Sequence, residues 1–262
     1  MRVGCQTRAY GSPLPDKATF LAVLDDLRET GYVGFETNFR TLEHSFDHPV
    51  AMRREIERRG VEMIGLHVGA GLFEPEKIPE DRKLVERVAR ATAELGGKHV
   101  IVSGRRLPET ADGRVERVAA LEKATQLESL AKFCSALGVT LSSHNHTYEV
   151  RNDAEEIRLV LGNSEQVSLL FDVGHVHNDE VNVPEFVAEH SARIAGLHLR
   201  DVQDGDEVMI GTGKVDFAAI GRSLRRKSWR GWLIVEINKR DDVPSREMVT
   251  RVRAHLRKTM KV

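Results

Sequence analysis

Eight short apolar runs, each ending in polar residues and followed by a stretch with helical spacing, predict an α/β protein of parallel strands joined by right-handed crossovers. Eight such units in 262 residues predict closure into a (β/α)8 TIM barrel, a single domain spanning residues 1–262. No Pro/Gly/Ser-rich linker divides the chain. The other parallel architecture, an open doubly wound sheet, would carry a glycine-rich phosphate turn after an early strand, and Gly4-Cys5-Gln6-Thr7 is not one.

The elements follow in order. Arg2–Gln6 is the first predicted strand. Residues 16–30 place Phe20, Leu21, Leu24 and Leu27 on one helix face, and Gly31 stops the helix. Strands are then predicted over 32–36, 61–68, 99–103, 139–143, 167–171, 194–199 and 232–237. Helices are predicted over 49–59, 79–95, 114–137, 153–161, 184–190, 217–226 and 246–258. Pro49 suits a first helical turn, with Asp47 near the cap, and Gly60, Gly96-Gly97 and Gly138 stand where helices end.

Composition narrows the function. Lys plus Arg number 39 and Asp plus Glu 40, a net charge of −1, so no positive excess is available to track nucleic-acid phosphates. No apolar run approaches the ~20 residues that span a bilayer. Cys5 and Cys134 form no CxxC pair, which argues against a disulfide framework. Met1 leads straight into a strand without a signal-peptide pattern, so the expected location is cytoplasmic. A small-molecule substrate, with no nucleic-acid or membrane partner, is the expectation, and a homo-oligomer is left open.

In such a barrel, chemistry sits at the C-terminal ends of the strands. The residues expected there are Gln6, Thr7 and Tyr10; Glu36 and Asn38; His67; Ser103 and Arg105; the run from His144 to Glu149; Asp172 and His175; His198 to Asp201; and Glu236 and Asn238. Glu149, Asp172, His198 and Glu236 lie at four successive strand ends, and neighbouring strands are only about 4.8 Å apart. Three carboxylates and one imidazole suit a divalent ion, with Mn2+ the first choice and Mg2+, Co2+ and Zn2+ as alternatives. The competing reading gives each residue an ordinary salt bridge or cap. Asp172 and Glu236 end apolar runs, where an unpaired charge is costly.

The segments Gly4-Cys5-Gln6-Thr7, Gly31 to Glu36, His144-Asn145-His146-Thr147-Tyr148-Glu149, Phe171-Asp172-Val173-Gly174-His175, His198-Leu199-Arg200-Asp201, Gly211 to Phe217 and Val235-Glu236 together resemble the xylose isomerase-like TIM barrels. That sugar phosphate isomerase/epimerase group includes ketose 3-epimerases, hydroxypyruvate isomerase and inosose dehydratase. The resemblance implies a metal set of Glu149, Asp172, His198 and Glu236, and a substrate-facing role for His175. Many members carry Glu-Asn-His on the fifth strand, with that glutamate on the metal. Here the stretch is His144-Asn145-His146, so the metal role passes to Glu149, as in members with a His-Asn-His-x-x-Glu pattern.

Substrate contacts are expected from His67, His146, His175, Glu36 and Arg200. His144 reads as a packing residue behind the site, and His177 as a rim residue. Asp201 would hold an imidazole or a metal-bound water, or else cap a loop. Arg105 and Arg106, and the basic run from Arg222 to Arg230, read as solvated surface. Lys214 lacks P-loop spacing and reads as part of a tight turn. The expected reaction is isomerisation or epimerisation of a sugar or keto-sugar. Glu149 and Glu236 would act as acid/base pair beside a carbonyl, through a metal-stabilised enediolate. The alternatives are a metal-dependent dehydratase or lyase of a keto-inositol or 3-keto-glycoside and, from another class, a non-catalytic sugar-binding subunit. An apurinic-site endonuclease would need a basic face that this charge balance does not supply.

Overall fold

A computed structural model describes residues 1–176 and 181–262. The strands are β1 (Arg2–Gln6), β2 (Gly34–Asn38), β3 (Glu62–Gly69), β4 (His99–Ser103), β5 (Thr140–His144), β6 (Ser168–Asp172), β7 (Ile194–Leu199), β8 (Asp201–Gln203), β9 (Asp206–Val208) and β10 (Trp232–Val235). All but β8 and β9 form one closed barrel in the order β1-β10-β7-β6-β5-β4-β3-β2. Its neighbours pair in parallel, and β1 closes the ring by pairing with both β10 and β2. The (β/α)8 expectation therefore holds.

The long helices are α1 (Lys17–Glu29), α3 (Pro49–Arg58), α4 (Ile78–Leu95), α5 (Arg117–Ala136), α6 (Arg151–Gly162), α8 (Phe217–Arg226) and α9 (Ser245–Met260), with short α2 (Phe39–Leu42) and α7 (Val183–Glu189). Asp16 caps α1 by accepting from the Thr19 N–H at 2.7 Å, as its place in the sequence suggests. Asp47 does not cap α3. That position is His48, and Pro49 starts the helix. Two features are absent from the sequence reading: α2, too short to show periodicity, and the antiparallel ribbon β8–β9 directly after β7.

Two of the three apolar clusters among the described residues follow from the alternation of strand side chains. The larger lies between strands and helices. The smaller consists wholly of strand residues, Ile64, Ile101, Leu170, Trp232 and Ile234, and fills the barrel interior. Trp232 fits because two strand residues beside it, Gly34 and Gly196, have no side chain. A Cβ on Gly34 would meet its ring at 2.7 Å, and one on Gly196 would meet Leu170 Cδ1 at 2.6 Å. This apolar plug is the floor on which the polar strand ends stand.

A close-packed floor predicts a specific cost. Gly34→Ala should lower unfolding free energy by about 1–3 kcal/mol, the range for overpacking, because Trp232 and the Glu62 carbonyl hem in the added methyl. Gly162→Ala, where nothing lies within 4 Å, should be neutral or stabilising. Urea unfolding of the two variants checks the contrast.

Candidate metal centre and active site

The pleat that turns Leu170 and Ile234 inward also turns Asp172 and Glu236 inward, one repeat further along. Ladder register sets Asp172 beside His198 and His144 beside Leu170. His144, Asp172, His198 and Glu236 are all buried, and each offers one ligand atom within 4.8 Å of the others. Both nitrogens of His144, Nδ1 of His198 and Oε2 of Glu236 make no hydrogen bond. His198 Nδ1 and Glu236 Oε2 lie 2.5 Å apart without the alignment a hydrogen bond needs. Buried polar atoms without partners cost roughly 1–3 kcal/mol each. One divalent cation at their common centre would satisfy one nitrogen of His144, His198 Nδ1 and Glu236 Oε2. Two imidazoles and two carboxylates suit a transition-type ion better than an all-oxygen Mg2+ site.

The sequence reading put Glu149 in this set and His144 behind it; in the structure the converging atoms include His144 and not Glu149. β5 runs one residue beyond the predicted end, so His144 becomes its inward-facing last residue. Glu149 lies past the mouth, where Lys123 Nζ holds Oε1 at 3.1 Å and the His146 N–H donates to Oε2 at 2.6 Å. Its carboxylate is thereby held away from the cluster.

Glu36 also departs from its expected sugar contact. It is fully buried, with Oε2 2.7 Å from His198 Nε2 and Oε1 3.1 Å from His67 Nδ1. Holding Nε2 leaves His198 Nδ1 directed at the cluster, the way an outer carboxylate orients a metal-binding imidazole. Burial pushes the Glu36 carboxyl up, but His198 and then His67 outweigh it and bring it down to about 2. Burial alone would push His198 down, yet Glu236 and Glu36 together hold its protonated form well above the usual imidazole range. The site is built to hold positive charge.

Sequence reasoning missed two supports. Asn145 is buried, and its amide bonds the Asp172 backbone twice, Oδ1 accepting from N–H at 2.8 Å and Nδ2 donating to the carbonyl at 3.1 Å. It extends the β5–β6 ladder by one side chain and fixes Asp172. Glu207, on β9, pairs with the Arg200 guanidinium and accepts from Asn238 N–H at 2.7 Å. Its position between Asp206 and Val208 shows neither role.

Arg200 lies against the cluster, with Nε 3.2 Å from Asp172 Oδ2 and Nη2 3.2 Å from Glu236 Oε2. Asp201 is a loop cap, accepting from the backbone N–H groups of Val202, Gly211, Gly213 and Val215. Lys214 pairs with Asp204, Arg105 with Glu74 and Asp81, and Arg106 with Glu109. His177 lies outside the described residues.

Above the cluster is a cavity of about 360 Å³ whose wall includes Arg8, Asn38, His67, His146, His175 and Arg200. Glu236 reaches it and Glu149 does not line it. His175 Nε2 is 3.6 Å from Asp172 Oδ2. Burial, only partly opposed by Asp172, lowers the His175 imidazole to about 4, so it is neutral at pH 7.

Residues 24–259 match the family described as xylose isomerase-like TIM barrel. The chain belongs to that family. By sequence it is 27% identical to inosose dehydratase of Geobacillus kaustophilus, across 85% of this chain and 81% of the relative. It is 24% identical to 3-dehydro-D-guloside 4-epimerase of Escherichia coli, across 94% and 95%. Among solved structures, an L-ribulose 3-epimerase superposes with TM-score 0.85 at 17% identity, covering 99% of this chain and 94% of that one. The 3-keto-D-glucoside 4-epimerase from E. coli gives 0.77 at 20% identity, covering 97% and 99%. At these identities the structures show the shared fold. Among the described residues, no helix is long and apolar enough to cross a membrane.

The orienting role of Glu36 is open to measurement. Glu36→Gln should weaken Mn2+ or Zn2+ binding by roughly 10- to 100-fold, the usual effect of removing a carboxylate behind a metal-binding histidine. Titration calorimetry on the two proteins gives the ratio. An unchanged affinity would remove Glu36 from the metal centre.

Proposed function

We propose that this protein is a divalent-metal-dependent isomerase/epimerase of a sugar or keto-sugar, moving a proton at a carbon next to a carbonyl. The reading rests on one observation: buried nitrogens of His144 and His198 that make no hydrogen bond converge with Asp172 and Glu236 beneath a polar cavity. His144, Asp172, His198 and Glu236 are proposed as the ligands, with Mn2+ or a similar ion. When bound, the ion supplies Lewis acidity toward a substrate oxygen. The epimerase names among the relatives support the reaction class.

The chain's own groups supply the proton transfers. Glu236 follows β10 and His146 follows β5, three strands apart around the ring. They flank the cavity from different sides. In the proposed reaction Glu236 takes the proton from the carbon, and the electron pair moves into the carbonyl to give an enediolate. His146 returns a proton on the other face, which inverts the carbon. Glu149, assigned that role from the sequence, is replaced here by His146, because its carboxylate is committed to Lys123. Asn38, His67, Arg8 and Arg200 are proposed to hold hydroxyl groups.

A second reading, dehydration or elimination of a keto-inositol or 3-keto-glycoside, is favoured by the similarity to inosose dehydratase and by His175. That imidazole lines the cavity beside Asp172, where a ring N–H can donate a hydrogen bond to a departing oxygen that takes its proton from solvent.

The test is a screen in D2O of Mn2+-loaded protein against free ketoses, keto-inositols and 3-keto-glycosides, followed by NMR. Deuterium beside the carbonyl with an epimerised product is the expected result, and loss of water or alcohol supports the second reading. Metal stripping should abolish turnover, and Glu236→Gln should reduce it by about 10²-fold or more. Full activity in the stripped protein would overturn the proposal. His175→Ala should slow turnover while metal content stays stoichiometric; an emptied metal site would make His175 a ligand instead.

A further inference from the structure

We infer that Lys123, on α5 outside the barrel, is a positioning residue for His146 and acts through the Glu149 carboxylate. The inference builds on the role proposed for His146.

Lys123 is only 3% exposed and lies between two carboxylates, 3.1 Å from Glu149 Oε1 and 2.6 Å from Glu156 Oε1. Burying a lysine is costly unless partners compensate it, and the other buried residues of this helix, Ala120, Ala124 and Leu127 among them, are all apolar. A helix that needed only to pack would carry another apolar residue here. The ammonium instead reaches the β5–α6 loop through a slot kept open by Gly104, where a Cβ would lie 2.3 Å from Nζ and 3.1 Å from Glu149 Oε1.

Glu149 transmits the constraint to one residue. Its Oε2 accepts the His146 backbone N–H at 2.6 Å and lies 3.4 Å from the same residue's Nδ1. On the other side, the Tyr148 hydroxyl donates to the Gly104 carbonyl at 2.8 Å, so its oxygen, 3.0 Å from Nδ1, is left to accept. Two acceptors therefore face Nδ1. Nδ1 keeps its own proton, and Nε2 is the nitrogen left to take up, and then give to the substrate carbon, the proton that His146 returns. Without Lys123, Glu149 and Glu156 would be neighbouring buried carboxylates with no cation between them, and their repulsion would release the loop.

The test uses full-length, Zn2+-loaded protein labelled with 15N-histidine. Nitrogen shifts report the tautomer of His146, and bound zinc is counted in parallel. Wild type should show Nδ1–H. Glu149→Gln, Lys123→Met and Gly104→Ala should each mix the tautomers while zinc stays near one per chain. Turnover should fall roughly 10- to 100-fold, as when a supporting partner is removed. Combining Lys123→Met with Glu149→Gln should add nothing beyond the worse single variant. Glu156→Gln, which leaves the Lys123–Glu149 contact in place, should keep the wild-type tautomer. If Lys123→Met fails to fold, Glu149→Gln and Gly104→Ala decide. An unshifted His146 in both Glu149→Gln and Gly104→Ala overturns the inference, as does zinc loss in Glu149→Gln, which would make Glu149 a ligand. The nitrogen shifts need no substrate. A wild type inert to every sugar would therefore sink the proposed reaction and leave this test standing.

Discussion

Charge balance at the barrel mouth is the constraint on which the site depends. Glu36, Asp172, Glu207 and Glu236 bring four carboxylates together, against the guanidiniums of Arg200 and, at 3.7 Å from Glu236, Arg8. With the imidazoles neutral, as a cation requires of its histidine ligands, 4 − 2 leaves two negative charges in a largely buried space. A divalent cation carries the matching charge, and the unpartnered nitrogens of His144 and His198 face the place it would take. The supporting contacts can be read as means of holding this arrangement before anything binds: Glu36 on His198, Asn145 on Asp172, Glu207 on Arg200.

The supports form a hierarchy. Asp201 gathers four backbone N–H groups and so folds the loop that carries β8 and β9. That ribbon presents Glu207, and Glu207 fixes both Arg200 and the chain leaving β10. Catalytic geometry is thus set by residues that never touch the cavity, which is how a loop-built site gains rigidity.

Much of this was legible in the sequence. Apolar runs separated by helical spacing were enough for the barrel. Asp172, His198 and Glu236 were readable because each stands at or just beyond the end of an apolar strand. The error at the fifth strand has a simple cause. Polarity signals where an apolar run stops, but the β5 ladder continues through His144, and the alternation that turns Ser142 inward brings His144 to the same face. Asn145, Glu207 and Lys123 were out of reach for another reason. Their roles exist only once β5 lies against β6, the ribbon against β10, and α5 against the loop before α6. Glu36 was found as a residue but given the wrong neighbour, since nothing local tells a carboxylate whether sugar or histidine lies opposite.

The Trp232 plug has a consequence for traffic. With Gly34 against the indole, Gly196 against Leu170, and Ile234 in the same cluster, the interior of the barrel is filled. Side chains that fill the barrel axis give a substrate no passage through it among the described residues. Substrate, displaced water and product then exchange on the side of the strand ends, and the rate of that exchange depends on the loops there rather than on the barrel.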